Sequence, residues 1–292
     1  MTPPPDPRPH GLSFEAIGTG WQIDSADPID DALANAIRER IAEFDITWSR
    51  FREDSLVARV ASTPGRWEFP AEASALFDVY RRLYEATDAA VSPLVGLAME
   101  NLGYDRAYSL RPSGRSTSVP AWDDAFAWDG TALTTIRPVL LDVGAAGKGY
   151  LVDIVLGMLV DAGHSDVVVD GSGDIRRAGG DPLRVALEHP VDTSKAIGIA
   201  HVTDAICSSA TNRRAWGSGL HHVIDATTGL PTQNVIATWA VAETALEADG
   251  LATALFFADP ARLGERFDFQ WVRMFATGRV EVSSDFDGEL FT

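Results

Sequence analysis

The sequence predicts an α+β domain built on a mostly antiparallel sheet with flanking helices, and three observations carry that expectation. Short apolar runs bounded by Gly, Pro, Asn and Asp dominate the middle of the chain, which is the pattern of strands joined by turns. Segments with apolar residues at three- and four-residue steps, the spacing of a helix with one buried face, are inserted between them at intervals. A length of 292 residues with 46% hydrophobic content is enough to bury a large core, and no internal repeat divides it. The expected organisation is a loose leader over residues 1–12 and a single domain over 13–292. Proline crowds the leader and blocks regular pairing there.

In chain order, Phe14–Ile23 reads as a strand. From Asp30 to Asp45, Leu33, Ala36, Ile37, Ile41 and Phe44 recur at helical spacing, and Asp27 or Asp30 can cap the start. Residues Thr47–Val57 read as a polar loop with aromatics at intervals, followed by a turn at Thr63–Gly65. Ala71–Thr87 forms a second helix through Leu76, Val79, Tyr80, Leu83 and Tyr84. A shaped loop at Asp88–Gly96 leads into a short helix, Leu94–Leu102, that stops at Gly103. Residues 109–120, rich in Ser, Arg, Pro and Gly, are an exposed loop. Strands are expected at Phe126–Trp128, Ala132–Ile136, Val139–Val143, Val167–Asp170, Leu183–Glu188 and Ala196–Val202. A helix is expected from Tyr150 to about Ala162, and another over Glu243–Ala258.

Composition excludes several functions. A formal charge of −18 and a pI near 4.6 argue against a general nucleic-acid binder, which needs a basic surface. An anionic ligand must then be met by a local arrangement of amides, metal or a few basic side chains. The single cysteine, Cys207, rules out an intramolecular disulfide framework and reads as a small core residue. No run of eighteen apolar residues suggests a membrane-spanning helix, and the first residues resemble neither a signal peptide nor a lipid anchor, so the expected location is the cytoplasm.

Four segments carry chemistry. Asp142-Val-Gly-Ala-Ala-Gly-Lys148-Gly149 is a strand running into a glycine-rich turn and then a helix; free amides at a positive helix end suit phosphate, and Lys148 can add a charge. On its own the same stretch is equally a tight turn with a solvated lysine. Asp249 and Thr253 stand four residues apart in the predicted helix, so they share a face and make a pair of hard oxygen ligands suited to Mg²⁺, or simply a solvated pair. His221 and His222 precede a strand-like Val-Ile-Asp run, where neighbours face opposite ways, so at most one looks into a given site. A neutral imidazole there is a natural base for a hydroxyl proton. Asp170-Gly-Ser-Gly-Asp174 lacks the later glutamate of a calcium loop, and its glycines allow close approach of a ligand. Arg213 and Arg214 either meet phosphate or lie on the surface.

Set in order, these segments resemble the ApbE family, the FAD:protein FMN transferases, over roughly residues 14–275. The resemblance rests on Ser49-Arg-Phe-Arg-Glu-Asp-Ser55, Asp88–Gly96 with Leu102-Gly-Tyr104, Asp142–Asp153, Asp170–Ile175, and the most diagnostic pair, His221–Pro231 with Ala248-Asp-Gly-Leu-Ala-Thr253. It implies a T-fold-related α+β domain holding FAD across a cleft. It further implies Mg²⁺, or Mn²⁺ in its place, bound by Asp249, Thr253 and the backbone carbonyl of Gly147. His222 would act beside the flavin diphosphate, with Asp249 as the second catalytic residue. Ser55, Asp142, Lys148, Gly149, Asp153 and Ser209 would contact FAD. The implied reaction moves FMN from FAD to a threonine or serine hydroxyl of an acceptor protein, with AMP released. Hydrolysis of FAD to FMN and AMP, or binding without catalysis, are the alternatives. The chain departs from the family pattern at Gly147 (usually Ala), Ser92 (often Asp), Ala210 (commonly Gly) and Ala226 (frequently Pro).

Overall fold

The structure, a computed structural model, describes residues 8–291. Strands β1 (His10–Ala16) and β2 (Thr19–Ser25) open the chain and are followed by helices α1 (Asp31–Trp48) and α2 (Leu56–Ser62), strand β3 (Gly65–Glu68), and helices α3 (Ala73–Ala86), α4 (Gly96–Asn101) and α5 (Trp122–Ala125). Strands β4 (Phe126–Trp128) and β5 (Ala132–Thr135) lead to α6 (Gly147–Asp161). Then come β6 (Val167–Asp170), β7 (Asp174–Ala178), β8 (Leu183–Glu188), β9 (Ala196–Val202) and β10 (Ala205–Ala210). Four two-residue strands, β11 (Ala215–Trp216), β12 (Leu220–His221), β13 (Ile224–Asp225) and β14 (Leu230–Pro231), precede β15 (Val235–Ala242). The chain closes with α7 (Ala245–Ala254), α8 (Pro260–Gly264), β16 (Phe269–Phe275), β17 (Val280–Val282) and β18 (Gly288–Leu290).

Eight of these strands form one sheet in the order β1-β2-β6-β7-β10-β15-β16-β17, with every neighbouring pair antiparallel. Alternation along the strands decides what covers each face. Ala205 and Cys207 of β10 join the main core with the buried faces of α1, α3, α6 and α7, whereas Ile206 between them joins a second core with Leu187, Ile197 and Val202. Helices therefore pack on one side of the sheet, and the small β18-β9-β8 sheet covers the other. The mixed class and antiparallel pairing match the sequence reading.

Several boundaries differ from it, each for a physical reason. Residues 10–12, expected in the leader, are paired strand, with His10 opposite Ser25, while residues 1–7 lie outside the described residues. Phe14–Ile23 is a hairpin rather than one strand, because Ile17 and Gly18 both take positive φ (47° and 73°) and reverse the chain. Residues 56–62, of which only 56 and 57 fall in the expected loop and the rest are assigned no element, form α2, whose first turn is capped by the Ser55 hydroxyl accepting from the Ala58 amide (3.1 Å). Val139, Leu141 and Val143 are buried in the alternating manner of a strand, yet the Asp142 amide donates to the carbonyl of Pro93 (2.8 Å) and no ladder forms. Alternation reports an extended chain over a core, with or without a sheet partner. Helix α1 starts at the Asp30 cap, whose carboxylate accepts from the Leu33 amide (2.7 Å).

Helices α6 and α7 cross against one another beneath the site, and glycine sets their separation. A Cβ on Gly149 would lie 2.1 Å from the Ala245 carbonyl oxygen and 2.6 Å from Cβ of Asp249. No rotamer change relieves a clash with backbone, so Gly149→Ala forces the helices apart. We expect a loss of about 2–3 kcal/mol of stability, measured by urea unfolding; a variant as stable as the wild type would show that the crossing tolerates a wider spacing.

Candidate active site

A cleft of about 450 Å³ opens above the α6–α7 crossing. Its walls come from the β1–β2 turn, the end of α1 and the loop after it, residues 142–148, the turn after β6, the end of β10, residues 213–214 and 222–224, and one face of α7. Segments far apart in sequence thus share a space of the size that small-molecule ligands occupy.

Asp249 and Thr253 both line this cleft, one turn apart on α7. One Asp249 oxygen, Oδ2, accepts the Gly149 amide (2.9 Å), and no other described group donates to the carboxylate. Burial holds the Asp249 carboxyl well above the usual carboxylate range, and the nearby charge of Asp174 adds to this. Thr253 Oγ1 lies 3.5 Å from the carbonyl oxygen of Ala145. The loop carrying that carbonyl is held in turn by Tyr80, whose hydroxyl accepts the Ala145 amide (3.1 Å) from the buried face of α3. Gly147, expected to offer its carbonyl here, is not the residue whose carbonyl lies next to Thr253. Gly147 lines the cleft, but it is the first residue of α6, so its carbonyl points along the helix axis toward the next turn. Ala145 precedes the helix, and its carbonyl is the one turned to Thr253.

Four cationic side chains line the cleft, and carboxylates engage three of them. Arg50, buried, pairs with Asp142 (2.5 Å) and donates to the Tyr104 carbonyl (2.8 Å). Lys148 meets Asp174 (2.6 Å) and the Gly171 carbonyl (2.6 Å). Burial works against its ammonium, but Asp174 and Asp249 outweigh that and hold its pKa above the ordinary lysine value. Arg213 pairs with Glu188 (2.9 Å). Arg214 has no carboxylate partner among the described residues; its guanidinium donates to the Tyr104 hydroxyl (2.6 Å). In a chain of net charge −18, one uncompensated arginine at a cleft is a place for an anion.

The two adjacent histidines divide as strand geometry requires. His221 is buried away from the cleft, with Nε2 against the Thr232 carbonyl (2.7 Å) and Nδ1 accepting the Val223 amide (3.3 Å), so both nitrogens are satisfied in one tautomer. His222 lines the cleft, and its Nδ1 is buried without a hydrogen-bond partner among the described residues. Burial, aided by the charge of Arg214, depresses its pKa to about 4. The ring is neutral at physiological pH and able to accept a proton.

Of the other residues singled out by sequence, Asp142, Lys148 and Ser209 line the cleft, and so does Ser92, whose hydroxyl caps the 3-10 turn at Pro93–Val95 by accepting the Leu94 amide. Three do not reach it. Ser55 is the buried cap of α2. Gly149 is buried in the helix crossing. Asp153 accepts the Ala245 and Leu246 amides (2.9 and 2.8 Å) at the start of α7 and lies 3.5 Å from Arg176, so it caps the helix that carries Asp249. Conversely, Tyr80 and Arg50 hold the site together without being named by the sequence reading, and Asp174, expected only as the end of a glycine turn, pairs with Lys148. Tyr80 was visible only as one more member of an apolar helix face, and its buried hydroxyl, where Phe would pack as well, was the available signal. Cys207, buried with its Sγ 3.5 Å from the Ala245 carbonyl, sits beneath the same helix start.

The ApbE family model matches residues 17–270. The FAD:protein FMN transferase of Klebsiella pneumoniae (strain 342) is 26% identical over 86% of this chain and 79% of its own length. The protein of the same name from Vibrio cholerae serotype O1 is 29% identical over 84% of this chain and 80% of its own. In fold, the ApbE protein from Thermotoga maritima aligns with a TM-score of 0.83 at 23% identity, covering 94% of this chain and 96% of that one. The flavin transferase ApbE from Vibrio cholerae aligns at 0.78 and 24%, with the same coverage.

The assignment of Asp153 to scaffolding has a direct test. Asp153→Ala removes the two hydrogen bonds that supplement the Thr244 cap at the start of α7 and should cost about 1–2 kcal/mol of stability in urea while leaving the affinity for FAD unchanged. A selective loss of FAD affinity at intact stability would return Asp153 to the ligand shell.

Proposed function

Because the chain belongs to the ApbE family, we propose that it transfers FMN from FAD to a threonine or serine hydroxyl of an acceptor protein and releases AMP. The observation that carries this reading is the convergence of Asp249, Thr253 and the Ala145 carbonyl at one edge of a cleft that also holds an unpaired Arg214 and a neutral His222. Names of relatives support it: those quoted above are FAD:protein FMN transferases.

The donor set fits a hard divalent cation. It consists of one buried carboxylate, a hydroxyl and a carbonyl, the few oxygens that Mg²⁺ or Mn²⁺ takes when substrate phosphates and water complete the shell. The raised pKa of Asp249 reflects its burial first and the charge of Asp174 second, which together outweigh Lys148, and a cation at its free oxygen would favour the carboxylate form. When bound, such an ion neutralises the diphosphate and eases the build-up of charge during transfer.

The protein's own groups do the rest. Arg214 offers its guanidinium to the diphosphate, and the Tyr104 hydroxyl fixes its direction. His222 accepts the acceptor hydroxyl's proton as that oxygen attacks the phosphorus of the FMN half. The bond from that phosphorus to the bridging oxygen breaks, and the oxygen leaves with AMP. Lys148 is committed to Asp174 and the Gly171 carbonyl, so its contribution is to hold the turn after β6 against the start of α6.

Two outcomes test this reading. With FAD and Mg²⁺, AMP should appear only when an acceptor polypeptide is present, and Asp249→Ala should lower the rate by at least about a hundredfold, the scale of losing one preorganised electrostatic contact; undiminished turnover would remove Asp249 from the site. The second is a pH profile. His222 is a competent base only when neutral, so kcat/KM should rise through about pH 4 and level off above it. Bound diphosphate favours the imidazolium, so the acid limb of kcat should lie at higher pH. Persistence of the limb in His222→Gln would assign the proton to another group.

A further inference from the structure

The loop over residues 105–118 has no part in the chemistry proposed above, yet its composition runs against that of the whole chain. It carries Arg106, Arg111 and Arg115 against a single acid, Asp105, in a protein of net charge −18. The Asp105 carboxylate is engaged within the loop, where it accepts the Ser109 amide (3.0 Å) and hydroxyl (2.5 Å). Arg106 reaches Glu53 at 3.3 Å. Arg111 and Arg115 are exposed, and no carboxylate meets either of them among the described residues. Positive charge is thus gathered on one loop and left open to a partner.

The loop is fastened in one shape. The Leu110 amide donates to the Gly103 carbonyl (2.8 Å), the Ser113 amide to the Asn101 carbonyl (2.8 Å), and the Asn101 side-chain amide to the Ser116 carbonyl (2.7 Å). Tyr108 and Leu110 both take positive φ (49° and 53°), a costly conformation for residues with a Cβ, and one that persists where the surroundings dictate it. That shape does not bury them: Tyr108 is 54% exposed and Leu110 42%. Leu97, 52% exposed, lies one turn before Asn101 on α4 and so on the side of the helix that holds the loop. Exposed apolar side chains set among tyrosine and arginine have the composition of a protein–protein contact. The patch starts at the mouth of the cleft, because the Tyr108 ring stacks on Phe51 (5.1 Å between centroids, 12° between planes) and meets Tyr104 edge-on, and both of those line the cleft. From there it runs outward, away from the dinucleotide.

We infer that the 105–118 loop, with Leu97 beside it, is the docking surface for an acidic segment of the acceptor protein. This rests on the proposal that the cleft delivers FMN to a protein hydroxyl, since such a substrate must bring a folded surface or a stretch of chain to the cleft mouth. A strongly acidic protein gains attraction for that partner only through a local cationic patch, and complementary charge there speeds encounter and selects the partner. Three guanidiniums are too few to hold a nucleic acid against the overall charge, whereas Tyr108, Leu110 and Leu97 suit the side chains of a polypeptide.

The test uses the full chain and two fluorescein-labelled peptides of equal length, one with a run of Asp and Glu around a leucine, the other with Asn and Gln in place of the acids. Wild-type protein should bind the acidic peptide more tightly than the neutral one, and the difference should shrink as salt is raised from about 50 to about 500 mM. Arg111→Glu combined with Arg115→Glu should raise the Kd for the acidic peptide about tenfold or more, with FAD affinity and thermal midpoint unchanged. Excess acidic peptide, which carries no hydroxyl, should raise the KM for an acceptor polypeptide in the transfer assay and leave kcat alone. If the double variant fails to fold, Arg115→Glu and Tyr108→Ser carry the same measurements. Equal affinity for the two peptides, no binding of either, equal binding by wild type and folded variants, or binding that leaves the acceptor KM unmoved overturns the inference. So does tighter binding, lost in the same variants, to phosphatidylserine vesicles or to a single-stranded RNA oligonucleotide. Wild-type protein that binds no FAD overturns the functional reading instead, and the peptide titration, run without FAD, keeps the two failures apart.

Discussion

The contact on which the site depends is the one between Gly149 and Asp249. The amide at the start of α6 donates to a carboxylate on α7 at 2.9 Å, an approach open only because Gly149 has no side chain to strike the Ala245 carbonyl. That hydrogen bond orients a buried acid one turn before Thr253 on α7, and it engages only one of the two carboxylate oxygens. Around it, each layer fixes the next. Asp153 caps α7, Tyr80 holds the Ala145 amide, and Lys148 bridges α6 to Asp174 on β7. The sheet below supplies a flat support, because small residues such as Ala205, Cys207 and Ala240 face the helices.

Electrostatics explains how so acidic a chain presents a cleft for an anion. Its cationic side chains are mostly spent on internal partners, Arg50 on Asp142 and Lys148 on Asp174, and these pairs hold the loops in place. Breaking such a pair from one side strands the other charge in a poorly solvated place, so each is a constraint on geometry more than a source of net stability. Arg214 is different: among the described residues its guanidinium meets no carboxylate and donates to the neutral Tyr104 hydroxyl. In the proposed function, a divalent ion at Asp249 would join that guanidinium in supplying positive charge locally, with no need for a basic surface.

Much of the fold was legible because hydrophobic period reports burial directly. Helices α1, α3 and α7 and strands β6, β8 and β9 follow from it. Errors arose where burial and backbone pairing part company: Val139–Val143 alternates over the core without a ladder, and the Ile17-Gly18 turn carries no ordinary turn residue at its first position. At the site, the four-residue step from Asp249 to Thr253 translated into a shared helix face. Motif membership alone did not separate ligand from scaffold. Ser55, Gly149 and Asp153 all stand in stretches that carry the family resemblance, and in the structure they cap or space helices. Such positions constrain the sequence as tightly as a ligand contact does, because the helix carrying Asp249 has no other way to sit where it does. Tyr80 was invisible for the opposite reason, since its role exists only after distant segments meet.

The central claim is that the α6–α7 crossing, Arg214 and His222 address one diphosphate. A crystal structure of the protein with FAD and Mg²⁺ tests it most directly. The account predicts a metal coordinated by Asp249, Thr253 and the Ala145 carbonyl, bridging a diphosphate within hydrogen-bonding reach of Arg214, with the His222 ring beside the FMN phosphorus. FAD held elsewhere, or a diphosphate turned away from Asp249 with no metal beside it, would contradict it.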